Sequence, residues 1–193
     1  MARPKEFDEN EALQKALEVF WRRGYERTSL ADLLSAMGLS KSSFYETFGS
    51  KQALFREALA RYQNDKLAQL RAHLDDGRPA RQSIEALFRR IVDSACPTSN
   101  GRGCMSCNEA VEMAPHDPSV RRQIERFLNE TEHILAEAVR RGQADGSISR
   151  RHDPVQLARF LTVCSYGLQV MARAKSEPDR LEDSLAVMMS ALN

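Results

Sequence analysis

The sequence predicts an all-α protein of about nine helices, with a three-helix unit in residues 1–50 and a larger helical body in residues 51–193. Three observations lead there. Apolar residues recur at the i, i+3, i+4, i+7 spacing of a helix face along most of the chain, and no run shows the period of two that marks a strand. Cap chemistry punctuates these stretches, with Ser, Asp or Pro at their starts and Gly after several of them. Two of the stretches are short and joined by the glycine turn Gly38-Leu39-Ser40, the layout of a helix-turn-helix.

The elements follow in order. Leu13, Ala16, Leu17 and Phe20 share one face; Asp8 with Glu11 resembles a capping box and Gly24 a C-terminal stop. Leu30, Leu33, Leu34 and Met37 fit the helix template, with "SLAD" as the cap and Gly38 as the break. Lys41 to Phe48 is the next helix, with Ser40 placed to cap it. A long helix is expected from Lys51 to Leu74, ended by "DDGRP", and another from Pro79 to Ala95. After "CPTSNGRG" a shorter piece ends near Ala114. "HDPS" starts a helix running to about Arg141, with Asp117 as cap and Pro118 in its first turn; "HDPV" starts one running to about Lys175; "SEPD" opens the last. The repeated "HDP" is a shared capping solution and not an internal repeat.

Composition narrows the function classes. With 42% hydrophobic and 28% charged residues, the 193-residue chain is of ordinary globular make-up. No apolar run approaches the ~20 residues of a membrane span, and "MARPKEFDEN" lacks the apolar core of a secretory signal, so the expected location is the cytoplasm, with no membrane partner. A net charge of +1 leaves room for a locally basic face. No Gly-rich phosphate loop, nucleophile elbow or paired catalytic carboxylate motif is present, and the four His are far apart in sequence, so the chain is not expected to be an enzyme and no cofactor is expected.

"GLSKSSFYETFGSK" carries the most specific chemistry. Phe44 and Phe48 are four apart and should pack inward together. Ser42 and Glu46 then point away from the core, flanked by Ser43 and Tyr45, with Lys41 at the leading edge. A short helix with this face fits a DNA major groove, and Lys51 opens the next helix, where its ammonium and free backbone N–H groups could meet a phosphate. The same pattern also suits a solvated helix in any all-α protein.

The run Gly24 to Leu59 closely resembles the N-terminal domain of the TetR/AcrR family of transcriptional repressors. The resemblance rests on Gly24-Tyr25, Thr28-Ser29-Leu30, Gly38-Leu39-Ser40, Phe44-Tyr45-x-x-Phe48, and Ser50-Lys51 with Leu54. It implies a homodimer that places one recognition helix per subunit in the major groove of a roughly palindromic double-stranded operator. It further implies phosphate contacts by Thr28, Ser29, Tyr45 and Lys51, and base-facing positions at Lys41, Ser42, Ser43, Glu46 and Thr47. Glu46 departs from the neutral, aromatic or basic residue often found at its position; it could accept from a cytosine amino group or repel phosphates. Arg3 and Lys5 could form an arm reaching the minor groove, or a frayed terminus.

By the same resemblance, the rest of the chain binds an inducer and forms the dimer. "GCMSCNEAVEMAPHDPSVRRQIE", "GQADGSIS" and "LARFLTVCSYGLQVMARA" resemble one branch of mostly uncharacterised regulators, some of which respond to reactive or hydrophobic compounds. Leu157, Phe160, Leu161, Cys164, Leu168 and Met171 form an apolar stripe, with Gly167 allowing close approach of another helix. Leu181, Leu185, Met188 and Met189 form a second stripe. The stripes could pair with their symmetry mates in a four-helix bundle, or face the monomer's own core. Candidate pocket residues are Tyr62, Leu87, Phe88, Ile91, Cys104, Met105, Met113, Phe127 and Tyr166, an apolar set with two phenols and adaptable Met; each could equally be core.

Cys96, Cys104, Cys107 and His116 pose a separate question. Cys104-x-x-Cys107 has metal-ligand spacing that Cys96 and His116 could complete, though not in a standard zinc pattern. A thiolate near a helix N-terminus would be reactive, and Gly103-Cys104 resembles the position of a redox- or electrophile-responsive cysteine in one characterised family member. Inert thiols lining the cavity are the third reading. The expectation is therefore a repressor released from its operator by a small hydrophobic or reactive inducer. The alternatives are a thiol or metal sensor with the same DNA-binding output and, further off, a helical enzyme.

Overall fold

Local chemistry sets the helix boundaries. In the computed structural model, which describes residues 7–94 and 102–193, nine helices are found among the described residues: α1 Glu9–Arg23, α2 Leu30–Met37, α3 Lys41–Phe48, α4 Lys51–Leu74, α5 Ala80–Asp93, α6 Met105–Glu112, α7 Pro118–Asp145, α8 Pro154–Arg173 and α9 Pro178–Ser190. Ser29 and Asp32 form a reciprocal capping box on α2. Ser40 caps α3 through the Ser43 N–H, and Ser50 caps α4 through the Ala53 N–H. Asp117 and Asp153 cap α7 and α8, each followed by Pro. Asp8 caps α1 by accepting from the Asn10 and Glu11 N–H groups. The expected end of α7 near Arg141 falls short: the helix continues to Asp145, where left-handed Gly146 stops it. Cys96, Arg3 and Lys5 lie outside the described residues.

Two apolar clusters organise the molecule. One joins α1, α2 and α3 to the first half of α4 through Phe20, Leu33, Phe44, Phe48, Leu54, Phe55 and Leu59, and takes in Met105, Met113 and Val120 from α6 and α7. The other joins α5, α7, α8 and α9 around Ile84, Phe88, Leu135, Leu161, Leu181 and Leu185, with the second half of α4 packed against it. The boundary expected at residue 50 falls at the N-cap of α4, yet the first cluster runs across it to Tyr62. Among the described residues no helix is long and apolar enough to cross a membrane.

Candidate functional site

The α2–α3 surface separates core from outward residues as its spacing requires. Phe44 and Phe48 are buried with ring centroids 6.0 Å apart. Lys41, Ser42, Tyr45 and Glu46 are exposed, while Ser43 and Thr47 are half-buried. Ser42 and Ser43 hydroxyls lie 3.0 and 2.9 Å from Ser40 Oγ, which ties the first turn of α3 together. Ser29 is exposed, and its side chain and backbone hold the Asp32 carboxyl down at about 2. Lys51 is half-buried, its ammonium 4.1 Å from the Tyr25 ring centroid, a cation–π contact that fixes the side chain at the start of α4.

Thr28 does not belong to this surface. It is 0% exposed, and its hydroxyl donates to the Gly24 carbonyl at 2.7 Å. It closes the turn between α1 and α2, and its side chain has nothing left to offer a phosphate.

A cavity of about 540 Å³ opens between α1, α4, α5, α7 and α8. Of the candidate pocket residues, Tyr62, Leu87, Phe88, Ile91, Cys104, Phe127 and Tyr166 line it. Met105 and Met113 do not: with Glu109 they form the i, i+4, i+8 face of α6, which is buried toward the N-terminal cluster. Polar wall residues escaped the sequence reading. Trp21 donates its indole N–H to the Gly103 carbonyl at 3.0 Å and meets Tyr62 edge-on at 5.0 Å. Lys66 lies over both rings, and Arg102 over Trp21. Arg90 and Arg173 complete the cationic lining. The four cations come from four separate stretches of chain, and each alone reads as a solvated charge.

Helix α6 links this cavity to the α1–α2 turn. Its N-cap is Cys104, in the cavity wall; the Tyr62 hydroxyl sits against the Cys104 sulfur and accepts from the Met105 N–H at 3.2 Å. Burial pushes the Cys107 thiol up to about 11, so it stays protonated and unreactive near neutrality. Glu109 is 1% exposed; burial first, then nearby Glu112, raises its carboxyl to about 8, against an opposing pull from Arg173. Beyond it, Glu112 accepts from the Glu26 N–H at 3.0 Å and fills the space beside Gly24. Asp117 makes a parallel link, accepting from the Gln52 side chain at 2.8 Å in the first turn of α4.

Among the described residues no three His, Cys, Asp or Glu side chains converge as metal ligands. Cys104 precedes α6 and exposed His116 follows it, so the eight-residue helix, ~12 Å long at 1.5 Å per residue, stands between them. The spacing that looked like one ligand set is spread over both ends of a helix.

The α8 and α9 stripes resolve into an inner and an outer row. Leu157, Leu161, Leu168, Leu181, Leu185 and Met188 are buried in the monomer's own core, with Cys164 and Met171 packed partly against it. Of the residues expected at a subunit interface, those six therefore serve the monomer's own core, and Cys164 and Met171 do so in part. Phe160 does face outward, 43% exposed, and continues through Val163 at 71%, Gly167 and Val170 along one side of α8, with Val187 on α9. An outward row at 160, 163, 167 and 170 is a helix face that no other element covers among the described residues.

The chain matches the profile described as "Bacterial regulatory proteins, tetR family" over residues 12–58 and that described as "Tetracyclin repressor-like, C-terminal domain" over residues 80–188. It is 33% identical to the uncharacterised HTH-type transcriptional regulator YezE of Bacillus subtilis, covering all of both chains. It is 31% identical to the HTH-type transcriptional repressor ComR of Escherichia coli, covering 93% of this chain and 86% of that one. Among solved structures, a cysteine mutant of the TetR family transcriptional regulator CifR, complexed with a 26-base-pair operator DNA, is 36% identical over the whole of both chains with a TM-score of 0.85. Reduced E. coli NemR shares the fold, with a TM-score of 0.85 at 22% identity over 95% of this chain and 97% of that one.

Proposed function

Because the chain belongs to the TetR family of bacterial regulatory proteins, and so is a DNA-binding transcriptional regulator, we propose that it is a homodimeric repressor. Two copies of α3 sit in successive major grooves of a roughly palindromic operator, and a small molecule in the cavity releases them. The observation that carries this reading is the α3 face: Phe44 and Phe48 are the buried residues of the helix, and Lys41, Ser42, Tyr45 and Glu46 are left exposed to meet base edges and phosphates. Ser29 and Lys51 flank that face as phosphate contacts, with half-buried Ser43 and Thr47 at its margins. The CifR–operator complex supports the same partner class. The outward row Phe160, Val163, Gly167 and Val170, with Val187, forms the subunit contact. The protein works in the cytoplasm, where its DNA is.

Helix α6 is the connection between cavity and DNA-binding unit. An inducer shifts the population only by binding one arrangement of the two more tightly. In contact with Cys104 and Tyr62 at one end, it displaces α6, and Glu112 passes the shift to the Gly24–Glu26 turn at the other. A second reading uses the same lever. The Cys104 sulfur borders the cavity at a helix N-terminus, with the Tyr62 hydroxyl beside it; there an electrophile or peroxide entering the cavity can reach and modify it.

The test is a fluorescence-anisotropy titration of the reduced protein against DNA flanking its own gene, repeated after mild peroxide. Specific binding supports the repressor reading, and no preference over random DNA removes it. Binding lost on oxidation and restored by thiol assigns release to the cysteines; binding indifferent to peroxide leaves release to a ligand in the cavity.

A further inference from the structure

We propose that the cavity takes an amphipathic organic anion, a hydrocarbon body carrying a single carboxylate, whose charged end lies among Lys66, Arg173 and the Tyr166 hydroxyl. This rests on the reading of the cavity as the inducer site and names the class of inducer.

The argument is one of charge and of uncommitted hydrogen-bond groups. Four Lys or Arg side chains and His73 line the cavity, and no carboxylate does. The undescribed segment 95–101 contains no Asp or Glu either, so its sequence offers no counter-charge. Of the cations, Arg102 is already paired with Glu18. Lys66 and Arg173 have no carboxylate within ion-pair distance among the described residues; Lys66 rests over the faces of Trp21 and Tyr62 instead. Several neutral polar groups of the wall are satisfied internally: Thr131 donates to the Phe127 carbonyl, Ser165 to the Thr162 carbonyl, and His73 bonds the Ser83 carbonyl. The Tyr166 hydroxyl is the exception, buried and without a partner. A buried hydroxyl left unpaired is unfavourable, and a bound acceptor would relieve it.

The remaining strong groups are therefore ammonium, guanidinium and phenol; the acidic neighbour that feels Arg173 is Glu109, whose carboxyl burial raises to about 8 and so keeps mostly neutral. These groups gather near Gly103: a Cβ placed on that residue would lie 3.3 Å from the Arg173 side chain, and Trp21 bonds its carbonyl. Helices α5 and α7 bring Leu87, Phe88, Ile91, Phe127 and Leu135 to the cavity, an apolar wall that suits hydrocarbon, along with Arg90 and the internally bonded Thr131. A cavity of about 540 Å³ that combines a cationic lining with an apolar wall and holds no carboxylate selects for a carboxylate with a compact apolar body over a cation or a neutral molecule of the same shape.

Trp21 is the chain's single tryptophan and stands in the cavity wall, so its emission reports occupancy directly. The experiment titrates the full-length protein with cyclohexylacetate, cyclohexylacetamide and cyclohexylethylamine, by Trp21 fluorescence with calorimetry as a second readout. The expected result is that the carboxylate binds at least tenfold more tightly than the amide, with the amine weakest. Lys66→Met and Arg173→Met each reduce that preference, and the double variant, checked for native helix content, abolishes it. Tyr166→Phe weakens the carboxylate severalfold. Equal or better binding of the amide or amine, persistence of the preference in a folded double variant, or no response of either readout to the carboxylate at millimolar concentration overturns the proposal. The same ligands are added to the DNA titration. A carboxylate that binds through these cations yet leaves operator affinity unchanged upholds the ligand class and removes the inducer reading. An amide that alone binds and releases DNA does the reverse.

Discussion

The backbone N–H of Glu26 donates to the Glu112 carboxylate at 3.0 Å, joining the α1–α2 turn to the end of a helix 86 residues away in sequence. Gly24 makes the contact possible. Its φ of +80° and ψ of 168° belong to a region open essentially to glycine alone, and a Cβ there would stand 2.5 Å from Glu112 Oε2. Gly24→Ala is expected to destabilise the protein by about 1–3 kcal/mol, read as a lower urea midpoint. Glu112→Ala removes the link without a clash. It should leave the helices folded and blunt the effect of an inducer on operator affinity; a release curve like that of wild type would show that the signal travels by another route.

Lys51 and Glu46 should fail in different ways. Lys51→Ala is expected to weaken operator and random DNA together and to lower the salt slope by about 1, because a phosphate contact releases counterions without reading sequence. Glu46→Gln should change which base pairs are preferred and leave the slope nearly alone. An unchanged salt slope in Lys51→Ala would mean that its ammonium stays over the Tyr25 ring when DNA is bound.

The two rows of α8 give a sharp contrast. Val163→Glu places a charge on the outward row and is expected to yield a folded monomer by sedimentation, with operator affinity greatly reduced. Leu161→Ala lies in the inner row, fully buried, and should cost about 2–5 kcal/mol of stability through the cavity it leaves. A Val163→Glu protein that still sediments as a dimer would move the interface elsewhere.

Glu109 should make stability depend on pH near neutrality. Its folded value is about 8 against an ordinary value of 4.5, so between those limits the folded state holds the extra proton. Stability is then greatest below 4.5 on this account and falls as pH rises toward 8, by up to about 1.4 kcal/mol per unit. Asp32 and Asp117, each held at about 2, act in the opposite sense only below their ordinary value of 3.8. Glu109→Gln should flatten the loss between pH 6 and 8 in urea unfolding; a slope unchanged from wild type would assign the titration to another group.

The cysteines should divide as their surroundings do. Cys104→Ser is expected to remove any effect of electrophile or peroxide on DNA binding, whereas Cys107→Ser should retain it, since the Cys107 thiol is held protonated by burial. Equal sensitivity of both variants would point to Cys96 or Cys164.

The helix-turn-helix was legible because its determinants are local. Ser29, Gly38, Ser40, Gly49 and Ser50 each act on the backbone within a few residues, and Phe44 with Phe48 fixes which side of α3 turns outward. The cavity was legible in its apolar part for a similar reason, through Phe88, Phe127 and Tyr166. The rest depends on tertiary register. On α8 the neighbours Phe160 and Leu161 are both apolar, and only packing against α5 and α7 decides that Leu161 goes in and Phe160 out. On α6 the row Met105, Glu109 and Met113 is a core face disguised by the carboxylate at its centre. Thr28 looked like a polar surface residue until the Gly24 carbonyl claimed its hydroxyl. Lys66, Arg102 and Arg173 reach the cavity lining from distant parts of the chain, and no local pattern marks them.

Helix α4 belongs to both apolar clusters: Leu54, Phe55, Leu59 and Tyr62 lie in one, and Leu74, with Leu67 and Leu70 beside it, in the other. Its 24 residues make a rod of roughly 36 Å with no glycine or proline to interrupt it. Neither cluster can come apart without fraying the shared rod, so heating should melt the subunit in one cooperative transition. Damage to the DNA-binding unit will then lower the melting temperature of the whole subunit, and a ligand held in the cavity will protect α1–α3 from proteolysis although it touches only Trp21 among their residues.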